Sequence, residues 1–335
     1  MRTTMWRTVA VVTAAFAAAA LAACSSSSSS SSTTSATSSA PATSATAAVS
    51  PSSGAAAAFP VTLNASNGNV TIRSKPARIV SLSPTSTEDL FAVGAGSQVV
   101  AVDADSNYPK GAPVTGLSGL TPNIEAIAKY NPSLVVAYQN VGGLVSGMTK
   151  LGIPVLIEPA VSTIDGVYAQ IEQIGQATGH TAQADAVVAS MKQQIATTVS
   201  QAGTASRGDT YYWELSANPY YSVTSATFIG QIVGLFGLKN IADAASKPSD
   251  GGYPELSEEY IVTAKPQIIF LADNEAADGG QTVAIVDKRP GWSGIPAVKD
   301  GEVIPLNDDI ASRWGPRLPQ LVAEIAAAVK NAPKG

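Results

Sequence analysis

Short apolar runs alternate with amphipathic stretches along residues 78–157. A run of four to six apolar, largely β-branched residues predicts a buried strand, and apolar positions three and four apart predict a helix. The predicted strands are RIVSLS (78–83), QVVAVD (98–103), SLVVAY (133–138) and IPVLIE (153–158). The predicted helices between them lie in STEDLFAVGA, TPNIEAIAKYNP and GLVSGMTKLG. Such alternation is typical of a mostly parallel sheet covered by helices.

Polar and helix-breaking residues set the expected ends of these helices. Ser86 or Thr87 is expected to cap the first helix, because a hydroxyl at the N-cap accepts hydrogen bonds from first-turn amides. Thr121 and Pro122 are expected to open the second helix, since Pro is favoured at a first helical position. Gly152 is expected to end the third.

The alternation of predicted strands and helices stops between residues 164 and 203. Apolar residues recur there at helical spacing in two successive segments, which Gly179 separates. They are Ile164, Val167, Ile171 and Ile174 in the first segment, and Ala184, Val188, Met191, Ile195 and Val199 in the second. Thr181 can cap the second helix. We therefore expect residues 181–203 to form one long, rigid connecting helix.

After Gly208 the alternation returns. The expected strands are DTYYWEL (209–215), QIIFLA and GEVIPL, and the expected helices lie in ATFIGQIVGLFG, LSEEYIVTA and PQLVAEIAAAVK. The pattern predicts an α/β protein with two α/β lobes joined by a single long rigid helix. The N-terminal lobe is expected over residues 59–180, the connecting helix over 181–203 and the C-terminal lobe over 204–335.

Residues 1–23 have the pattern of a secretory signal. Arg2 and Arg7 precede an apolar, Ala-rich stretch that is too short for a stable membrane span. The only cysteine of the chain, Cys24, follows Leu-Ala-Ala, and this sequence resembles the lipobox of bacterial lipoproteins. The resemblance implies cleavage before Cys24, its diacylation and an anchor at the extracytoplasmic face of the cytoplasmic membrane. An ordinary signal followed by a chance cysteine is the alternative.

Residues 24–58 fit a tether between this anchor and the folded body. They are almost entirely Ser, Thr, Ala, Pro and Gly and contain no charged residue. Such a segment cannot bury enough apolar surface to offset its chain entropy, so we expect it to be disordered. Its reach as a flexible coil is on the order of 30 Å.

Charge and residue inventory exclude several classes of function. The 335 residues include 20 Lys and Arg and 25 Asp and Glu, a net charge of −5, which argues against nucleic-acid binding. The single histidine, His180, is expected at a helix junction, and neither a phosphate loop nor a nucleophile elbow is present. The acid pairs Asp308–Asp309 and Glu258–Glu259 are more typical of helix caps and solvated loops than of catalysis. We expect neither an enzyme nor a cofactor.

Several phrases, in this order, resemble one family. The chain is similar over about residues 76–330 to the helical-backbone class of extracytoplasmic binding proteins, which serve ABC importers of cobalamin, ferric siderophores and haem. The phrases are ARIVSLSPTSTEDLFAVGAGSQVVAVDADSNYP, PNIEAIAKYNPSLVVAY, LGIPVLIEP, YPELSEEYI and VKDGEVIPLNDDIASRWGPRL. The resemblance implies a ligand cleft between the lobes, little hinge closure, a monomer, a metal-chelate ligand, and permease and ATPase subunits as partners.

The expected ligand cleft lies at the carboxyl ends of strands, as in other open α/β sheets. The resemblance to cobalamin-binding members of the family assigns its lining to Tyr108, Tyr138, Tyr221, Tyr253, Asp309 and Arg313. A tryptophan that this resemblance would place near Gly119 is missing. Flat aromatics suit a corrin or porphyrin face, and Arg313 suits amide, carboxylate or siderophore oxygens. We rank a corrinoid first, a ferric siderophore second and haem third.

Glu125 and Glu259 each fall near the start of a predicted helix, one in each lobe. The simpler interpretation is that these acids complement the helix dipole, for about 0.3–1 kcal/mol each. The family resemblance implies that the pair also docks on arginines of the permease. Glu255 and Glu258 are neighbours that could share this role.

Two further expectations concern metals and an alternative class. Tight zinc or manganese sites need imidazole, thiolate or clustered carboxylates. With one histidine and a lipidated cysteine, the chain is expected to hold no direct metal site and to leave a chelated cobalt with its own axial ligands. A purely adhesive cell-wall lipoprotein also fits the tether, but it does not require the family phrases.

Overall fold

The computed structural model describes residues 58–203, 208–274 and 280–331. The predicted signal peptide, Cys24 and nearly all of the tether lie outside the described residues. None of the helices in the described part of the chain combines the length and the apolar character that a bilayer span requires. The described chain opens with an antiparallel hairpin of two strands, β1 (Val61–Ala65) and β2 (Gly68–Ile72).

A five-stranded parallel sheet forms the centre of the first lobe. Its strands are β3 (Ile79–Leu82), β4 (Val99–Asp103), β5 (Val114–Leu117), β6 (Leu134–Ala137) and β7 (Val155–Ile157). Their spatial order is β5-β4-β3-β6-β7. Four of these strands are the predicted ones. Strand β5 was not predicted, because it is a short edge strand with mostly unburied residues and an internal glycine.

The helices of this lobe begin at residues other than those expected. They are α1 (Pro84–Ala92), α2 (Ile124–Ala128) and α3 (Leu144–Lys150). Helix α1 starts earlier than predicted: the hydroxyl of Ser83, not that of Ser86 or Thr87, accepts from a first-turn amide. Helix α2 is capped by Asn123 rather than opened by Thr121.

Two long helices follow and connect the lobes. Helix α4 (Ile164–Thr178) ends at Gly179, whose φ of 75° is the left-handed conformation that glycine adopts readily. Helix α5 (Thr181–Ala202) begins at once, with His180 at its N-cap. The His180 ring nitrogen Nε2 lies 2.9 Å from Oε1 of Gln98, and burial and Lys75 lower the pKa of this histidine. The predicted long connecting helix is confirmed.

The second lobe contains a four-stranded parallel sheet in the order β11-β8-β13-β14. These strands are β8 (Thr210–Glu214), β11 (Lys239–Asn240), β13 (Ile268–Leu271) and β14 (Val303–Pro305). A small antiparallel sheet, which was not predicted, joins β9 (Ser216–Ala217), β10 (Tyr220–Tyr221) and β12 (Glu255–Leu256). Strands of two residues carry no periodicity that a sequence reading could detect.

The helices of the second lobe cover its sheet, and the last of them packs against the connecting helix. They are α6 (Phe228–Gly234), α7 (Glu258–Ala264), α8 (Val283–Val286), α9 (Pro296–Asp300), α10 (Asp308–Ser312) and α11 (Leu318–Asn331). Helix α5 packs against both α4 and α11. The connecting helix is therefore held by the helix that precedes it and by the last helix of the second lobe.

One hydrophobic core runs through both lobes. Buried residues of the first lobe such as Leu90, of the connecting helix such as Val188, and of the second lobe such as Trp213 and Leu321 belong to a single cluster. Two further clusters lie on the outer faces of the two parallel sheets. Because opening the lobes would separate this shared core, the fold favours a nearly rigid arrangement.

Candidate functional site

A cavity of about 440 Å³ lies at the carboxyl ends of the first sheet. The turns that follow β3 to β7 supply one wall, and the segment 309–314, after β14 of the second sheet, supplies the other. The cavity thus occupies the place where open α/β sheets bind ligands. The cavity is lined by both apolar and charged side chains. They include the rings of Tyr138 and Trp314, the apolar Leu120, several carboxylates and one guanidinium.

The structure brings three of the six predicted ligand residues onto this cavity. Tyr138, Asp309 and Arg313 line it. Tyr108, Tyr221 and Tyr253 do not. Each of the four tyrosines is nevertheless more than 40% exposed. They are solvent-facing aromatic surfaces rather than members of the core.

Tyr221 and Tyr253 are neighbours on one antiparallel ladder. Tyr221 on β10 lies opposite Glu255 on β12, and the Ser222 amide, which donates to the carbonyl of Pro254, continues the same register. Tyr253 therefore lies diagonally across from Tyr221 on the same face, a spacing at which aromatic side chains can reach each other. Both side chains are exposed on the second lobe.

Arg313 is already held by protein groups. Its guanidinium lies 2.5 Å from Oδ1 of Asp309 and donates to the Asn107 side chain at 2.6 Å and to Oε1 of Glu88 at 3.2 Å. Asn107 in turn donates to Oδ2 of Asp309 at 2.9 Å. The two predicted residues therefore form a preorganised charged edge of the cavity, with the guanidinium fixed in direction.

Glu88 and Arg317 form a buried ion pair that sequence reasoning missed. The guanidinium of Arg317 donates to both carboxylate oxygens of Glu88, at 2.7 and 2.6 Å, and the Glu88 side chain is 1% exposed. Arg317 also lies over the Tyr108 ring, 4.4 Å from its centre. The pair ties α1 of the first lobe to the segment that precedes α11. No sequence signal marks it, since the partners are 229 positions apart.

A tryptophan lines the cavity, but on the wall opposite to the one expected. Near Gly119, where a tryptophan was expected, the wall is formed by Leu120, which is 68% exposed. A Cβ atom on Gly119 would overlap the carbonyl oxygen of Leu82, so that position accepts no larger residue. Trp314 lines the cavity from the second lobe, and its ring packs 5.1 Å from that of Phe228.

Two buried acids, Asp89 and Glu158, line the same cavity. They are 2% and 6% exposed, and Oδ1 of Asp89 and Oε1 of Glu158 have no hydrogen-bond partner. Burial raises the pKa of Glu158 to about 8, and the nearby side-chain amide of Gln170 opposes this rise to a smaller extent. Burial and the charges of Glu158 and Glu88 raise the pKa of Asp89. Glu158 could have been found from its place as the last residue of a predicted strand, at the end of the sheet where a ligand was expected.

Asp103 is a third acid in the cavity wall, and it is better satisfied. It accepts a hydrogen bond from the Ser106 hydroxyl at 2.5 Å. Burial raises its pKa, and the bond with Ser106 opposes that rise. The cavity is therefore acidic, and Arg313 is the basic side chain among its described lining residues.

The two predicted docking acids are exposed. Glu125 lies in the first turn of α2 and Glu259 in the first turn of α7. Glu258, a neighbour that could share the role, is half-buried and accepts a hydrogen bond from the Trp292 indole at 3.1 Å. Glu255 is exposed on β12. Docking on a permease stays a prediction.

The described residues contain no group of three or more His, Cys, Asp or Glu that could hold a metal ion. His180 lies at the junction of α4 and α5 and does not line the cavity. Asp308 and Asp309 occupy the first turn of α10, as expected for helix-start acids. These positions provide no base beside a nucleophile.

Two α/β lobes on a shared helical backbone, with a cavity at the strand ends, define the architecture of a solute-binding protein. A family model for periplasmic binding proteins matches residues 79–310. The chain belongs to the periplasmic binding protein family. It is a substrate-binding protein of an ABC importer and not an enzyme, as predicted.

Similar proteins differ in what their names say they bind. The chain is 33% identical to YvrC of Bacillus subtilis strain 168, an uncharacterized ABC transporter substrate-binding lipoprotein, over 81% of this chain and 86% of that protein. It is 31% identical to a cobalamin-binding protein of Halobacterium salinarum strain R1, over 82% of this chain and 76% of that protein. A possible iron-binding protein of Staphylococcus epidermidis ATCC 12228 has a similar structure, with a TM-score of 0.66 and 25% identity over 76% of this chain and 99% of that one.

Proposed function

We propose that this chain captures a corrinoid and delivers it to the permease of an ABC importer. The observation that carries the proposal is the set of exposed tyrosines at the predicted positions, Tyr108, Tyr138, Tyr221 and Tyr253. A cavity at the sheet end, with Tyr138 and Trp314 in its wall, accompanies them. Large exposed rings give a flat apolar surface on which a macrocycle can stack.

The polar groups of the cavity also favour a corrinoid. Its periphery carries primary amides, which can donate to carboxylates and accept from a guanidinium. Asp103, Glu158 and Asp309 supply acceptors, and Arg313 supplies a fixed donor. A haem would bring two propionates into this acidic wall, where they would meet one basic side chain that is already paired.

Titration of the purified chain by tryptophan fluorescence tests this ligand class. Cyanocobalamin, haemin and a panel of ferric siderophores are compared, with Trp314 as the reporter in the cavity wall. Micromolar or tighter quenching by cyanocobalamin, weakened in Tyr138→Ala, is expected, because Tyr138 lines the cavity. Leu151→Ala, which removes an exposed apolar side chain at the end of α3, is the control and leaves the affinity unchanged.

The competing ligand is a ferric siderophore. The possible iron-binding protein of similar structure favours it. Tight binding of a ferric siderophore without a response to cyanocobalamin would replace the corrinoid and leave the importer function standing. Tight binding of haemin alone would make haem the ligand and would also leave the importer function standing.

We infer that Glu125 and Glu259 dock this protein on its permease. Both are exposed helix-start carboxylates, one in each lobe, available for arginines of a partner. The double variant Glu125→Ala, Glu259→Ala is expected to lose uptake and to retain its ligand affinity. The control is Asp165→Ala with Asp185→Ala, which removes the same charge from exposed positions of α4 and α5. Loss of ligand affinity in the first double variant would refute the docking role.

We also propose a lipid anchor at Cys24 on the extracytoplasmic face of the cytoplasmic membrane. The support is the lipobox-like sequence Leu-Ala-Ala-Cys and the charge-free segment after it. The variant Cys24→Ala is expected to appear in the soluble extracytoplasmic fraction, while the unaltered chain stays with the membrane. Equal partition of the two proteins would contradict the anchor.

A further inference from the structure

Asp89 and Glu158 stand out among the described acids, because both are deeply buried and both line the cavity. Each presents an oxygen without a hydrogen-bond partner, Oδ1 of Asp89 and Oε1 of Glu158. Neither forms an ion pair with a described basic residue, whereas Glu88 beside them is held by Arg317. Native proteins rarely leave two such acceptors unmet in one place.

The surroundings explain why the protein itself does not satisfy them. The side-chain amide of Gln170, which also lines the cavity, donates to the Pro159 carbonyl at 2.6 Å. Gly315 presents no side chain to Asp89, since a Cβ there would lie 3.2 Å from Oδ1. The nearest basic group in the wall, Arg313, is directed to Asp309, Asn107 and Glu88.

We propose that Asp89 and Glu158 form a subsite that accepts an N–H donor of the ligand, a primary amide or an ammonium group, and rejects a carboxylate. A primary amide carries both N–H donors and a carbonyl acceptor, so it matches a carboxyl group whether that group is ionised or protonated. A ligand carboxylate would instead add a further acid to a desolvated space with no free cation. Unpaired buried groups of this kind discriminate strongly between ligands.

This subsite rests on the proposed function, because it assumes that the ligand occupies this cavity. In a corrinoid, the peripheral amides are the groups that it would recognise. It would distinguish an amide-bearing macrocycle from one that bears propionates. Tyr138 and Trp314 would then position the ring system, while the two acids select the groups at its edge.

The test compares cyanocobalamin with its monocarboxylic acids, in which one peripheral amide is hydrolysed, at pH 9, above the raised pKa of about 8 of Glu158. The intact corrinoid is expected to bind at least about tenfold more tightly than one or more of the acids. In Asp89→Asn and in Glu158→Gln this preference is expected to shrink to less than about threefold, since the new amide can donate to a carboxylate. These isosteric variants keep the side-chain volume and replace the ionisable carboxyl group by an amide, and the comparison of ligands on the unaltered protein needs no variant at all.

Glu302→Gln is the matched control. Glu302 is also buried with one unpartnered oxygen, but it lies just before β14 and does not line the cavity. The Glu302→Gln variant is expected to prefer cyanocobalamin over its monocarboxylic acids by the same factor as the unaltered chain. Equal affinities of the unaltered chain for cyanocobalamin and for every acid would overturn the subsite while leaving corrinoid capture intact.

If no corrinoid binds and a ferric trihydroxamate does, corrinoid capture fails and the subsite is tested separately. The probes are then a ferric trihydroxamate with a terminal ammonium group and the same compound succinylated to end in a carboxylate. Preference for the ammonium form, lost in Asp89→Asn or Glu158→Gln, supports the subsite. Equal binding of the two forms overturns it.

Discussion

The ion pair between Glu88 and Arg317 is the contact whose removal should be most costly in the described site region. In Arg317→Met the guanidinium that donates twice to Glu88 is replaced by an apolar chain of similar length. Glu88, with a side chain that is 1% exposed, is left as a buried charge. The variant therefore tests whether α1 and the segment before α11 are held together by this pair.

The expected loss follows from the geometry of the pair. Removal of one partner of a buried ion pair costs about 3–5 kcal/mol. Arg313, whose Nη1 lies 3.2 Å from the same Glu88 oxygen, retains part of the compensation, so the lower end of that range applies. Loss of the contact with the Tyr108 ring adds about 0.5–1 kcal/mol. We expect the free energy of unfolding to fall by about 3–4 kcal/mol and Tm by roughly 5–7 °C.

Equilibrium unfolding in urea and thermal scans measure this loss. Glu88→Gln and the double variant complete a mutant cycle, in which the double variant should be more stable than the sum of the single losses by at least about 1 kcal/mol. Lys330→Met, an exposed position on α11, is the control and should change stability by less than about 0.5 kcal/mol. A loss below about 1 kcal/mol for Arg317→Met, with additive single variants, would refute the reasoning.

Three further predictions concern other parts of the molecule. Since the folded pKa of Glu158 is raised from 4.5 to about 8, the native state holds a proton that the unfolded chain loses. The free energy of unfolding, relative to Glu158→Gln, should therefore decrease as pH rises from about 5 to about 8, by up to about 5 kcal/mol; a pH-independent difference in urea titrations would contradict this. Gly175→Val should cost about 1–3 kcal/mol in the same assay, because even a Cβ at this position of α4 would overlap Ala184 of α5; an unchanged stability would show that the two helices can move apart. Calorimetry of the purified chain should detect no sub-micromolar zinc binding; a stoichiometric site of that affinity would disprove the prediction from the residue inventory.

Much of the fold could be predicted from local patterns. The predicted strands of the two parallel sheets and the long helices α4, α5 and α11 all lie where periodicity placed them. Buried parallel strands and amphipathic helices record their environment in successive residues, so a short window carries the signal. Gly179 ended α4 as expected, since few other residues adopt its positive φ without strain.

Only some residues of the candidate site could be predicted from the sequence. Tyr138, Asp309 and Arg313 were predicted to meet and they do, because the family phrases that contain them also specify the fold. Trp314 was not predicted, although it lies one residue after Arg313. Its ring reaches the cavity because of its packing against Phe228 of α6, a contact across 86 positions.

The sequence by itself determined the class of fold, the existence of a long connecting helix and the chemistry that is excluded by one histidine and one cysteine. The tertiary structure alone decided which acids are paired. Glu88 and Asp89 are adjacent in the chain, yet one is held by Arg317 and the other faces the cavity without a partner. Pairing depends on distances between segments more than 200 residues apart and on the loss of water around each group. Neither quantity is encoded in the local pattern of hydrophobic and polar residues.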